Sequence, residues 1–410
     1  VGASAGAVLY LYLWVAAAGA QDAPPAEPDR VQELEQRVKA LEESREALRQ
    51  EVERTLADEE ALGLGIVLRR GKVQASVQLF GDVGFSYANP TPVDRGNSAF
   101  FFGGVNAFAA AQVGDHFQVL SETVIKTREE AAQDRIIFDQ ERLWGSWTFS
   151  DRLYVKLGLE HGPISRWNRL YHHGRWLELT IERPMLARFE TAGGFLPLHN
   201  AALEIGGRFH TALGRLEYIA LVGNGRGKTA EDAHKISDRN DGKAFELSLG
   251  FAPSCVDGLI VGFNVRVDDI PPDPAVPARA RSIRELIGGG YVEYKSGRWD
   301  ILAELVYVED RDRTAGGEFG HHSGYLQIGY RMRDRWTGYT RIDYRRMDFG
   351  DPYFAPLDRD LDRWELLYGV RVEITPNAAV KFEIGFGEEE LDTQDNRRYF
   401  RAGFQLSWVF

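Results

Sequence analysis

The chain is poor in several things at once. Its 410 residues hold one cysteine, Cys255, and three methionines, and only nine of its 49 basic residues are lysine. A lone cysteine excludes an internal disulfide framework and a multi-thiolate metal site, and no Cys-x-x-Cys-His is present for haem attachment. No interior run of about 18 apolar residues exists to serve as a membrane helix. The net charge is −12, and no stripe gathers the basic residues, so displacement of counterions from a nucleic-acid backbone is not supported. Neither a nucleic-acid partner nor a cofactor is therefore expected. There is no His-Glu-x-x-His and no Gly-x-Ser-x-Gly, which leaves a hydrolase without a motif, and no enzyme is expected.

What is present changes along the chain. Residues 1–20 carry an apolar core, Ala7 to Ala18, closed by the small residues Ala18-Gly19-Ala20, which reads as a signal peptide whose start is missing. An Ala/Pro-rich acidic linker follows over 21–30. Within 31–60, Val31, Leu34, Val38, Leu41, Arg45, Leu48 and Val52 step by threes and fours, a narrow apolar stripe that predicts a short coiled coil with Arg45 weakening the seam.

From residue 62 to 410 the period falls to two. Phe400, Ala402, Phe404, Leu406, Trp408 and Phe410 share one face of the last segment, with Arg401, Gly403, Gln405 and Ser407 on the other. The same alternation allows sixteen strands, about 73–87, 98–113, 116–126, 136–149, 152–160, 201–211, 214–223, 243–252, 258–268, 285–295, 298–309, 321–332, 335–347, 363–374, 377–387 and 397–410. Each is long enough to cross a bilayer when tilted. Tight turns such as Gly114-Asp115, Ser150-Asp151, Ser296-Gly297 and Arg333-Asp334 alternate with long polar loops. Trp147, Phe149, Tyr154, Trp299, Trp336 and Trp408 sit beside the tight turns, where a headgroup-level girdle would lie. The expected fold is all-β: a 16-stranded antiparallel transmembrane β-barrel after a short α-helical coiled coil.

The last strand, with Phe404, Leu406 and Trp408 before a terminal Phe410, resembles the closing strand of bacterial outer-membrane porins, which their assembly machinery reads. The chain is similar to the phosphate-selective porin-like family, some relatives of which carry a periplasmic coiled coil and form trimers. The resemblance implies an outer-membrane location in contact with lipid, a coiled coil in the periplasm, a homotrimer, the barrel-assembly machinery as a partner and small hydrophilic solutes as cargo. It implies no phosphate site, because the lysine ladder of such pores has no counterpart among nine scattered lysines.

Sixteen strands enclose a lumen wider than wall side chains fill, so inward charges and any inserted loop set passage. The longest connection, 161–200, is the third external loop by count and is the expected constriction, with Arg166, Trp167, Arg169, Tyr171, His172, His173 and Arg175 facing solute. Parity turns Glu122, Lys126, Glu160, Arg266, Glu293, Glu304, Arg341, Arg345, Arg371 and Arg401 toward the lumen. Arginine suits bidentate contact with carboxylate or phosphate oxygens, and 161–200 holds five Arg against three Glu, a weak lean toward anionic or hydroxylated solutes beside general diffusion of small hydrophilic ones. The second function class is a structural anchor whose coiled coil tethers the envelope. Gly223 to Thr229 imitates a phosphate loop with Val222 in place of the first glycine, and Gly387 to Asp395, with Glu388, Glu389, Glu390 and Asp392, reads as a solvated acidic loop. The pairs His172-His173 and His321-His322 point to opposite faces of a strand, so no metal site is expected from either.

Overall fold

Alternating faces build a sheet that closes on itself. A computed structural model describes residues 66–89, 98–130, 133–172, 174–188, 194–230, 242–348, 350–354, 362–390 and 397–410. The expected signal peptide, linker and coiled coil, with Val31, Leu34, Val38, Leu41, Leu48 and Val52, lie outside the described residues, as does His173.

The strands in chain order are β1 (Ile66–Arg70), β2 (Val73–Ala88), β3 (Ser98–Val113), β4 (Phe117–Glu130), β5 (Gln133–Ser150), β6 (Leu153–His161), β7 (His199–Thr211), β8 (Gly214–Gly223) and β9 (Ala244–Pro253). They continue with β10 (Leu259–Ile270), β11 (Ile283–Ser296), β12 (Trp299–Asp312), β13 (Glu318–Arg333), β14 (Trp336–Met347), β15 (Asp362–Thr375), β16 (Ala378–Glu390) and β17 (Arg397–Val409). Each of β2 to β17 pairs antiparallel with its neighbours in sequence, and β17 pairs back onto β2 from Val409↔Phe80 to Arg401↔Ala88. The result is a closed 16-stranded antiparallel barrel with one extra strand, so the sheet leaves no long unpaired edge. Phe410 completes the seam by exchanging both backbone hydrogen bonds with Leu79, at 2.7 and 2.9 Å.

The extra strand β1 is absent from the sequence reading. It continues the column that β17 leaves, pairing with β2 from Ile66↔Val77 to Arg70↔Val73 through a turn at Gly71, whose φ of 60° suits a residue without Cβ. Five residues are too few for alternation to register.

On β17 the outward positions are Phe404, Leu406, Trp408 and Phe410, while Gln405, Ser407 and Val409 are buried inside. The outer wall exposes Phe100, Phe138, Leu157, Phe263, Leu305 and Ile342 among many others, an apolar area well beyond what a water-facing monomer tolerates. Trp147, Phe149, Trp299 and Trp336 stand on this outer face beside the tight turns. Tyr154 does not: it shares inward parity with Lys156 and Glu160 and donates to Glu204 at 2.8 Å, because a tyrosine hydroxyl inside the barrel finds a carboxylate there.

Trp408 lies over Gly81 across the closing seam. A Cβ at Gly81 would stand 2.6 to 2.9 Å from three indole atoms. Gly81→Val is therefore expected to push Trp408 off the seam and cost about 1–3 kcal/mol, the usual penalty of overpacking. Urea unfolding in detergent checks this, and an unchanged midpoint would refute it.

The buried apolar core sits inside the barrel. Ile164, Trp167, Leu186, Phe195, Leu196 and Leu198 pack with wall residues Ile287, Leu302, Val306 and Tyr325 and with Tyr353 and Phe354. The first six of these come from the connection between β6 and β7, the third long loop, L3.

Candidate functional site: the loop inside the barrel

L3 leaves β6 at His161 and returns at His199. It first forms a short helix, α1 (Arg166–Tyr171), whose N-cap Ser165 has extended backbone and accepts from Asn168 N at 3.2 Å. The free N–H groups of the first turn point at the wall. Glu304 on β12 accepts from Arg166 N at 2.7 Å, Trp167 N at 2.8 Å, Ser165 Oγ at 3.2 Å and the Tyr325 hydroxyl at 2.8 Å. A carboxylate at a helix N-terminus satisfies those donors and the local positive end of the peptide dipoles.

Three arginines of the loop, those expected to face solute, go to named carboxylates. Arg166 pairs with Glu293 at 2.7 Å, Arg169 with Glu204 through two parallel bonds of 2.8 and 3.0 Å, and Arg175 with Glu178 at 3.1 Å. Trp167 is fully buried, and the Tyr171 hydroxyl accepts from Lys295 Nζ. His172 is buried at the end of α1 beside His161 and His199.

The returning half of L3 is caught by basic side chains of the opposite wall, which donate to its backbone. Arg341 on β14 donates to Thr180 Oγ1 at 2.9 Å, Glu182 O at 2.7 Å and Arg183 O at 3.0 Å. Arg371 on β15 donates to Trp176 O and to Glu178 O, and Lys381 on β16 donates to Arg175 O and to Thr180 O. Acidic wall residues take the N–H groups: Glu383 accepts from Ile181 N at 3.0 Å and Asp343 from Met185 N at 2.9 Å. A buried peptide strand without a sheet partner needs such donors and acceptors, and the wall supplies them.

Of the expected lumen charges, Glu122, Glu160, Arg266, Glu293, Glu304, Arg341, Arg345 and Arg371 are buried inside the barrel, and Arg401 is mostly so. They face L3 and one another more than an open channel. Glu122 pairs with Arg142, Glu160 with Lys156 at 2.8 Å, Arg266 with Glu246 and with Asp268 at 2.7 Å, and Arg401 with Glu365 at 2.5 Å. Lys126 pairs with Asp139 at 2.8 Å and is half exposed. On the tight-turn side of L3 a cavity of about 600 Å³ remains, with Lys295, Asp300, Arg331, Asp334, Arg371 and Glu373 on its lining.

Sequence reasoning missed the partners that hold the loop, notably Glu204, Lys381 and Glu383, and it missed Glu141, His161 and His199. His161↔His199 is a register pair at the neck of L3, so matching histidines at the two ends of one long loop were the available signal. A second buried group joins Asp310, His321 and Asp351.

Within L3, loss of hydration raises the pKa of the Glu182 carboxyl, and the guanidiniums of Arg401, Arg188 and Arg175 outweigh it, so the net shift is downward. A depressed carboxylate stabilises the folded state above its unfolded pKa of about 4.5, and that contribution is lost as pH falls through the folded value. L3 should thus resist trypsin down to about pH 4.5 and loosen below it, with Glu182→Gln flattening the profile; an identical profile in the variant would refute the coupling. At Arg183 a downward shift disfavours the charged form instead: burial, and then the nearby Arg175, lower its pKa to about 10.

No protein-family model matches the chain. No curated protein matches it either. Solved structures match by fold. An anion-selective porin from Comamonas acidovorans aligns with a TM-score of 0.59 at 10% identity, covering 82% of this chain and all of that one. OmpT of Vibrio cholerae, also solved in a trimer form, aligns at 0.56 and 11%, covering 84% and 100%. The outer membrane channel DcaP of Acinetobacter baumannii aligns at 0.54 and 9%, covering 84% and 99%.

Proposed function

We propose that this protein is an outer-membrane porin through which small hydrophilic solutes diffuse passively, with carboxylate-bearing or polyhydroxylated solutes favoured. The observation that carries the proposal is L3, laid inside a closed barrel and tied to both walls by charges of both signs. A polar interior narrowed by one loop is the means by which a wide barrel becomes a size filter. The apolar outer face fits lipid, and the alternation of tight turns with long loops fits a barrel inserted from the periplasm. In the same reading residues 31–60 stand in the periplasm as a coiled coil and join three barrels, as the trimeric neighbour suggests by analogy. Phe404, Leu406, Trp408 and Phe410 form the strand offered to the assembly machinery.

The test is the purified protein in a planar bilayer under a KCl gradient, titrated with phosphate, dicarboxylates and sugars. Ohmic conductance with saturable block by one of these classes supports the proposal. Unblocked conductance removes the solute preference and leaves general diffusion; absence of conductance overturns the porin reading.

A further inference from the structure

We propose that His161, His172 and His199, with Glu141, form a binding site for a transition-metal dication of the zinc type, fastening L3 to the wall. The site lies beyond the channel reading and does not depend on it.

The residues come from four separate pieces of chain: Glu141 from β5, His161 from the end of β6, His172 from L3 and His199 from the start of β7. All four are at most 2% exposed. One ring nitrogen from each histidine lies within 4.8 Å of the others, and the ring centroids are 4.2, 4.5 and 4.9 Å apart. Glu141 Oε2 lies 2.8 Å from His199 Nε2 and 4.0 Å from His172 Nε2. Tetrahedral bonds of about 2.1 Å put donor atoms about 3.4 Å apart, so a contraction of at most about 1.4 Å brings the imidazoles to bonding distance.

The decisive detail is the tautomer of His172. Asn168 Nδ2 donates to Leu198 O at 2.8 Å and to Gly162 O at 3.3 Å, which fixes the amide with Oδ1 turned to His172 Nδ1 at 2.5 Å. An amide oxygen accepts only, so Nδ1 carries the proton and the Nε2 lone pair faces Glu141 and the other rings. A histidine held by a hydrogen bond on one nitrogen and presenting the other to a cluster of donors is the arrangement of a metal ligand with its supporting contact. Three imidazoles and one carboxylate favour zinc, cobalt, nickel or copper over calcium or magnesium, which prefer oxygen.

The other buried cluster lacks this feature. It offers a single imidazole, His321, whose Nε2 lies 2.7 Å from Asp351 Oδ2 and whose Nδ1 accepts from Asp348 N at 3.3 Å.

Charged side chains surround the proposed site. Arg142 serves Glu122, Lys156 serves Glu160 and Glu204, and the Arg183 guanidinium is bonded to the His172 carbonyl. Because His172 belongs to L3, the ligand set is complete only when the loop is docked, and metal binding would share free energy with docking.

The experiment uses the full chain in detergent, stripped with EDTA and titrated with Co²⁺ alone, then with Zn²⁺ in competition. One equivalent of Co²⁺ with the intense visible bands of a four-coordinate ion, displaced by Zn²⁺, is expected. His172→Gln should abolish those bands, and Asn168→Ala should weaken binding about 10- to 100-fold with every ligand still present. His210→Gln, at an exposed histidine far along β7, should change nothing. Should the His172 variant fail to fold, X-ray absorption of the Zn²⁺-loaded wild type decides: three imidazoles and one oxygen sustain the site, and fewer than three imidazoles overturn it. Absence of stoichiometric binding, or binding indifferent to His172, also overturns it.

Discussion

Glu304→Ala is expected to free the first half of L3 from the wall and raise single-channel conductance without unfolding the barrel. One carboxylate accepts four hydrogen bonds there, two from the helix backbone and two from the Ser165 and Tyr325 hydroxyls. Removing a buried charged partner of this kind costs about 3–5 kcal/mol, which corresponds to a shift of roughly 10²- to 5 × 10³-fold toward the undocked loop. The loss is local, because the ladder of β12 with β11 and β13 is backbone and stays intact. Two measurements read it: conductance in a planar bilayer and the rate of trypsin cleavage within 162–198, which holds Arg166, Arg169 and Arg175. Unchanged conductance together with unchanged cleavage would show that Glu304 is not what holds the loop.

The second large effect concerns ion selectivity. Replacing Arg166, Arg169 and Arg175 together by alanine removes three positive charges and leaves Glu293, Glu204 and Glu178 without those partners. Glu204 keeps Lys156 at 3.2 Å and Glu293 keeps Lys295 at 3.8 Å, so the largest change falls at Glu178. Inside a barrel such charges are weakly screened, and a change of about one kT in local potential alters the ratio of chloride to potassium permeability about sevenfold, because the two ions shift in opposite directions. The zero-current potential under a KCl gradient should move toward cation preference by that ratio or more. If it does not move, the three arginines serve only to anchor the loop, and passage must run elsewhere in the lumen. Testing Arg166→Ala alone refines the assignment, since its partner Glu293 sits on the wall and not in the loop.

The two experiments address different halves of one arrangement. The first asks whether docking of L3 narrows the passage; the second asks whether the docked loop still offers its charge. Ion pairing makes the second question real, because arginines expected to face solute spend much of their charge on wall carboxylates.

Period-two alternation is a local property, and it carried most of the fold. The expected strand at 98–113 is β3, and those at 214–223 and 335–347 differ from β8 and β14 by at most one residue at an end. Inward parity of Glu304, Arg341 and Arg371 followed from counting by twos, since a side chain's face on a strand depends only on its position in that strand. The alternation of Gly114-Asp115 or Ser296-Gly297 turns with long loops likewise placed 161–200 as the third external loop.

What the tertiary structure decided is who meets whom across the lumen. Arg166 and Glu304 are 138 residues apart, and Lys381 reaches the backbone of Arg175 over 206. No local pattern encodes such distances: they exist because sixteen strands close into a ring and bring β12 and β16 to face the same loop. Tyr154 faces inward by the parity it shares with Lys156 and Glu160, and the closed sheet supplies the Glu204 carboxylate on the next strand to its hydroxyl. The histidines make the contrast plain. Alternation reads the pair His172-His173 as neighbours on a strand, whereas His172 ends a helix inside the barrel, and its companions His161 and His199 come from the two strands that L3 connects.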